Sequence, residues 1–357
     1  MKTLFITGAA GYVGAMLADQ FSLRPDVAKI ICLDKEPMPD FLKGREKIVW
    51  ITANTSDDTW EESVRAYAPD TVIHTAWQIR EMYGDQKTQW KWNIVGSEKI
   101  FDFAFSLPSV KTLIHFSTVA SYAAYPENTL EHRFTEDEPF RKSDYRYAEE
   151  KRIVEERLKE KYAAALKRGG ALSDVFVVRP VSITGPYGRH VRVRFGLQSV
   201  LSGQAKGSLI HRMISALVSF VPITKKWARQ FVHEDDINDI VALLAFRIPD
   251  TGRFEIFNAC PPGDSIVSGR DMATAVHKRA VLIPPWLIRT VFFLTWHLSC
   301  GRIPTSRGGW KSYSYPIIVD GSKITKLFGY HYQYESRDAF VKTTGRYEKY
   351  IKVDERL

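Results

Sequence analysis

The chain has 357 residues, 45% of them hydrophobic, enough to bury a large core in one large or two coupled domains. Its three cysteines, Cys32, Cys260 and Cys300, lie far apart without metal-ligand spacing, so they read as reduced structural residues and no metal is expected. The net charge of +9 is uneven: residues 1–150 hold 17 Lys and Arg against 23 Asp and Glu, net −6, leaving +15 for residues 151–357; this suits an anionic substrate or an acidic membrane surface, while the lack of a long basic block interleaved with aromatics excludes nucleic acid as a partner.

In chain order, a buried strand is predicted at Thr3–Ile6, followed directly by Thr7-Gly8-Ala9-Ala10-Gly11-Tyr12-Val13-Gly14 and a helix continuing from Ala15. Gly8 permits a tight turn, Gly11 lets the backbone approach a pyrophosphate, and Gly14 allows close helix packing. Beside Tyr12 and Val13 the helix N-terminus offers N–H groups to an anion. Because Thr7-Gly8 interrupts the first apolar stretch, no signal peptide is expected and a cytoplasmic location follows. The next strand, Ile30–Leu33, ends at Asp34, 20 residues past Gly14. A carboxylate there accepts hydrogen bonds from an adenosine ribose and repels a 2′-phosphate, so NAD is expected over NADP, with Lys35 as the opposing feature.

Apolar runs at Ile48–Ile51, Thr71–His74, Thr112–Phe116 and Val175–Val178 alternate with helical segments. That alternation predicts an α/β fold, a Rossmann-type doubly wound parallel sheet with helices on both faces. Past Arg179-Pro180 the pattern loosens into proline-rich turns, two longer helices and aromatic stretches. The expected organisation is an NAD-binding domain at 1–180 and a smaller substrate-binding lobe at 181–357, with segments interleaved with the sheet.

The chemistry is announced at Tyr147 and Lys151, four residues apart at the start of a charged helical run. A phenol of pKa about 10 accepts a proton at neutral pH when a cation stabilises the phenolate, and one helical turn puts Lys151 on the same face as Tyr147. Tyr145 has Glu149 at that spacing instead, which would raise its pKa.

With these residues in place, the chain resembles the extended short-chain dehydrogenase/reductases, the NAD-dependent epimerase/dehydratase group, nearly end to end. Ala53-Asn54-Thr55-Ser56-Asp57 matches the family's adenine-contacting loop, with Asn54 where Asp is usual. His74-Thr75-Ala76 matches the segment beside the cofactor ribose, and Asn93 the family's Asn-containing helix start. His115-Phe116-Ser117-Thr118 matches the strand that delivers a catalytic hydroxyl, and Arg179-Pro180 the start of the substrate lobe. Phe231 to Ile237, Phe257-Asn258-Ala259 and Asp320 to Tyr330 resemble later signatures.

The resemblance implies hydride transfer to NAD coupled to proton transfer, with Tyr147 as acid/base, Lys151 lowering its pKa and holding the ribose, and Thr118 orienting the same oxygen. Val119 and Ala120 stand where family dehydratases carry an Asp-Glu pair, which argues against sugar 4,6-dehydration. Arg229 fills the place of the phosphate-clamping arginine of nucleotide-sugar 4-epimerases, whereas Ser182 stands where those enzymes carry a nucleotide-holding Asn, and Trp77 replaces a small residue beside the nicotinamide pocket. The leading expectation is an epimerase or oxidoreductase acting on a nucleotide-sugar-like, anionic substrate. The alternative is a dehydrogenase of a hydrophobic alcohol, as in the hydroxysteroid branch, motivated by Leu209-Ile210, Met213–Val221 and the helix from Pro284 to Trp296; in that case Arg229 would pair with Glu234 or Asp235. A non-catalytic NAD-sensing protein is the reading from another class, opposed by the intact Thr118, Tyr147 and Lys151. The 284–298 segment, opened by two prolines and containing Arg289, is not a transmembrane span but leaves shallow membrane contact open. Helix-paired homodimers are common in the family and are one assembly open to this chain.

Overall fold

The computed structural model describes residues 1–169, 173–188, 220–249, 252–275 and 277–351. Seven strands, β1 (Lys2–Thr7), β2 (Val27–Asp34), β3 (Ile48–Thr52), β4 (Thr71–His74), β5 (Thr112–Phe116), β6 (Asp174–Pro180) and β7 (Phe254–Ala259), form one sheet in the order β7-β6-β5-β4-β1-β2-β3. All of its pairings are parallel. Every crossover therefore carries the chain back over a face, and both faces are covered.

The period-two alternation within strands decides what each face holds. Leu4, Ile6, Ile30, Cys32, Ile114 and Phe176 pack with helices α1 (Tyr12–Ser22) and α4 (Glu234–Phe246). Their neighbours Phe5, Ile31, Leu33, Leu113 and Val175 pack on the other side with α2 (Gly96–Ser106) and α3 (Arg146–Arg168). Residues beyond 180 do not stand apart from this sheet: α4 shares the core of α1, and β7 runs beside β6 with Asn258 opposite Arg179.

Arg179 lies under 2% exposed in this core, donating from Nε and Nη2 to Glu155 of α3 at 3.1 and 2.5 Å. Its Nη1 donates to the Tyr122 hydroxyl at 2.5 Å. The Arg-Pro pair thus ends β6 and clamps it to α3 at once. Strand order reverses between β1 and β4, and at such a switch point the carboxyl ends of the strands open a crevice.

Candidate active site

That crevice is a cavity of about 1410 Å³. It exceeds the roughly 300–1,000 Å³ that holds one ligand, so cofactor and substrate fit side by side. At its base Gly8 has φ +71°, and a Cβ there would lie 2.5 Å from the Ala76 nitrogen. A Cβ on Gly14 would lie 2.2 Å from the Gly8 carbonyl oxygen. Both positions require glycine on steric grounds. Gly11 is exposed at the start of α1, where no side chain caps the helix, and Tyr12 and Val13 continue the same wall.

Asp34 stands half-buried on the wall at the end of β2, its carboxylate accepting from the backbone N–H groups of Ala10 at 2.9 Å and Glu36 at 3.0 Å. These bonds fix its position beside the glycine turn. Lys35 is turned to an ion pair with Glu36, and its ammonium lies 5.3 Å from the Trp92 ring. The arrangement fits the dinucleotide: an uncapped helix end for a pyrophosphate and a fixed carboxylate for a ribose diol.

Asn54, Thr55, Thr75, Ala76 and Asn93 also line the cavity. Asn54 accepts from the Ser56 N–H at 2.9 Å, and Thr75 Oγ1 donates to the Thr7 carbonyl at 2.7 Å. Asn93, on a π-helical turn, accepts from the Gln78 N–H at 2.8 Å and donates to the Gln78 carbonyl at 3.1 Å and to Glu150 at 2.7 Å; its amide is used in holding the 76–81 wall. His74 is placed differently. It is buried behind the wall, with Nδ1 2.7 Å from Thr7 Oγ1 and Nε2 2.8 Å from Ser97 Oγ, and burial with the nearby Lys151 charge pulls its pKa down to about 3. It is a neutral strut between β1 and α2.

At the other end, Thr118 lines the cavity and caps a 3₁₀ turn, accepting from the Ala120 N–H at 3.1 Å. Tyr147 lies on the first turn of α3, its ring centroid 5.7 Å from that of Tyr145, and both line the cavity. One turn on, Lys151 is buried; its ammonium donates to the Phe116 carbonyl at 2.5 Å and lies 3.7 Å from the Trp77 ring centroid. Burial depresses its pKa to about 7, against the opposing pull of Glu155. Helix α3 therefore brings Tyr147 and Lys151 beside the strand end that carries Thr118. Tyr145 is raised as its sequence predicts but for another reason. Burial dominates, followed by the Tyr147 and Tyr313 phenols, while Glu149 is taken up by Arg152 and the Ser143 N–H.

The remaining wall holds Pro180, Ser182, Arg229, Phe292, Trp296 and Tyr313. Arg229 Nη2 donates to the Ser312 carbonyl at 3.3 Å, and its guanidinium lies 5.1 Å from the Tyr313 ring and 5.5 Å from that of Trp227. Among the described residues no carboxylate pairs with it. The ion pair considered with Glu234 or Asp235 does not form: Glu234 accepts from the Tyr12 hydroxyl and from the N–H groups of Tyr187 at 3.1 Å and Gly188 at 2.9 Å, and Asp235 accepts from the Arg346 N–H at 3.3 Å. Leu209-Ile210 and residues 213–219 of the apolar stretch lie outside the described residues. Sequence reasoning missed the Tyr12–Glu234 bond and the aromatic wall from Phe292 to Tyr313. The run Glu234-Asp235-Asp236 was the available signal for the first, and no local spacing announces the second.

Solved structures share this architecture across nearly their whole length. dTDP-glucose 4,6-dehydratase from Bacillus anthracis, in complex with NAD, superposes with a TM-score of 0.68 at 14% identity, over 98% of this chain and 97% of its own. UDP-glucose 4-epimerase from Thermotoga maritima, with UDP-glucose, gives 0.68 at 15%, over 95% and 96%. The Bordetella bronchiseptica enzyme WbmG, with NAD, gives 0.66 at 19%, over 98% and 94%. At these identities the likeness shows the fold. Comparison with curated proteins gives no match. A family model nevertheless fits residues 4–260, well over half of the chain, and the protein thereby belongs to the NAD dependent epimerase/dehydratase family.

Proposed function

We propose that the protein oxidises, reduces or epimerises a secondary alcohol of an anionic, nucleotide-sugar-like substrate through proton transfer at Tyr147. Bound NAD supplies the hydride acceptor. Tyr147 takes the alcohol proton, and Lys151, one turn along the same helix, supplies the positive charge that favours the phenolate. With a pKa near 7, the Lys151 ammonium is readily gained or lost, and a neighbouring phenolate favours its charged form. Thr118 Oγ1, fixed by its bond with the Ala120 N–H, can orient the same substrate oxygen. Asp34 holds the ribose diol and selects NAD over NADP. His74 and Asn93 serve as supports of the wall in this reading.

The observation that carries the substrate class is Arg229, a guanidinium on the cavity wall flanked by Trp227 and Tyr313 and without a carboxylate partner among the described residues. A half-buried cation held in that way is suited to a charge-assisted bond with phosphate. The UDP-glucose in the Thermotoga maritima epimerase structure and the UDP-glucuronic acid of MoeE5 support the same class. The apolar wall of Trp77, Phe292, Trp296 and Tyr313 favours a second reading, a hydrophobic alcohol or ketone. A thermal-shift and turnover screen of UDP-, GDP- and dTDP-sugars against steroid-like alcohols, on the wild type and Arg229→Ala, separates the two. Selective loss of nucleotide-sugar binding in the variant supports the first, and wild-type turnover confined to apolar alcohols overturns it. Tyr147→Phe should keep NAD binding and lose orders of magnitude in turnover, with Tyr145→Phe as the mild control; equal behaviour of the two variants defeats the assignment of Tyr147.

A further inference from the structure

Helix α5 (Pro285–Leu298) is apolar on two opposite sides. Ile288, Phe292 and Trp296, spaced by one turn, form its buried stripe, and the last two line the cavity. The opposite side should be polar on a helix that merely covers a core. Instead Trp286 is 66% exposed and Leu298 84%, with Val291, Phe293 and Leu294 exposed between them beside the polar Arg289, Thr290 and His297. Val281 and Leu282, on the strand leading into the helix, are exposed as well.

The local sequence carries charge of one sign. From residue 272 to residue 319 the chain contains no Asp or Glu, whereas Lys278, Arg279, Arg289, Arg302, Arg307 and Lys311 are cations. Lys311 is paired with Asp144, and Arg289 lies 5.9 Å from the Trp310 ring. Arg279 and Arg302 are exposed and have no carboxylate partner among the described residues. The helix has 14 residues, and no helix among the described residues is long and apolar enough to cross a membrane. A short helix with a Trp- and Phe-bearing face, flanked by cations and free of acids, is suited to lying in the interface of an anionic bilayer.

We propose that the outer face of α5 docks the protein on an anionic lipid surface, with Trp286, Phe293, Leu294 and Leu298 entering the headgroup boundary and Arg279 and Arg302 meeting lipid phosphates. Since the inner face of the same helix lines the cavity, docking sets the substrate side of the crevice against the membrane. The proposal stands on this surface and does not depend on which substrate is turned over.

Vesicle sedimentation of the full-length protein tests it, using phosphatidylcholine alone and phosphatidylcholine with phosphatidylserine. The wild type should partition to the anionic vesicles, more weakly at high salt, and the Trp286→Ser/Phe293→Ser double variant should lose about tenfold or more in partition coefficient. Arg279→Glu/Arg302→Glu should lose the preference for phosphatidylserine while keeping the same melting temperature. Both pairs of side chains are exposed, so NAD-induced thermal stabilisation should persist and report an intact fold. Equal binding of the wild type to neutral and anionic vesicles, or undiminished binding of the Ser variant, overturns the proposal. So does a wild-type dimer that becomes monomeric in the Ser variant without any vesicle binding, which would assign the face to a second copy of the chain.

Discussion

Replacing Lys151 by Met should make the empty protein more stable and inactive. The side chain is 4% exposed and its pKa falls from 10.5 to about 7 on folding, chiefly through burial. Between those values the unfolded chain holds a proton that the folded chain has released, so the lysine's contribution to stability improves as pH rises. Methionine has similar length, can lie on the Trp77 ring, and carries no titration. At neutral pH the wild type should therefore be the less stable protein. Raising the pH from about 7 to about 9 should close the gap by about 2 kcal/mol, the fraction of a 1.36 kcal/mol per unit linkage gathered over that window. Urea unfolding of both proteins at the two pH values measures it, and comparing the pair cancels every other titrating group. A gap that is constant or widens with pH would refute the claim that burying this ammonium opposes folding. Loss of turnover in the stabilised variant would identify the strained lysine as kept for chemistry.

Asp34→Ala should lose the preference for NAD over NADP, read as converging thermal shifts with the two cofactors; a larger shift with NADP in the wild type would overturn the role of Asp34. Burial raises Glu234 to about 7 despite the Tyr12, Gly188 and Tyr187 donors, so its proton stabilises the folded chain fully below the usual value of 4.5 and that contribution is lost as pH rises through about 7. Glu234→Gln should accordingly show a flatter fall in melting temperature than the wild type across that window. Arg179→Met removes the two guanidinium bonds of the fully buried Glu155 and leaves it Lys159 at 3.2 Å, so it should cost about 3 kcal/mol in urea unfolding, with Glu155→Leu added to the same variant recovering most of it; an additive double variant would defeat that account.

Six of the seven strands were legible as short, largely apolar runs, the pattern that burial on both faces imposes, whereas β7 is broken by Glu255 and Asn258 and no apolar run announced it. Ile30–Leu33 and Val175–Val178 could be placed without tertiary information. Gly8 and Gly14 were legible for a steric reason, since the turn leaves no room for a Cβ at either. Roles that depend on distant partners were not. His74 matched a ribose-contacting segment, yet its ring is claimed by Thr7 and Ser97, 67 and 23 residues away. The bond of Tyr12 with Glu234 spans 222 residues, and that of Arg229 with Ser312 spans 83. Local spacing carries no record of such contacts.

This difference has a consequence for how the two halves of the crevice are held. The cofactor half rests on the sheet: Gly8 donates to the Leu33 carbonyl at 2.9 Å, Asp34 is fixed by two backbone N–H groups, and the strand ends beneath are fully buried. The opposite half, where the substrate is proposed to bind, is assembled from short strands and turns, with Arg229 on a two-residue strand and Tyr313 at the end of a four-residue helix. Glu234 joins Tyr12 of the glycine turn to the backbone of Tyr187 and Gly188. The fit is close on both sides, because a Cβ at Gly185 would lie 2.3 Å from Glu234 Cδ and one at Gly188 2.3 Å from the Tyr12 oxygen. A ligand that shifts Tyr12 must shift this carboxylate or break its bond, so under the proposed placement of a pyrophosphate at the glycine turn, its binding should be coupled to the setting of the 185–188 turn.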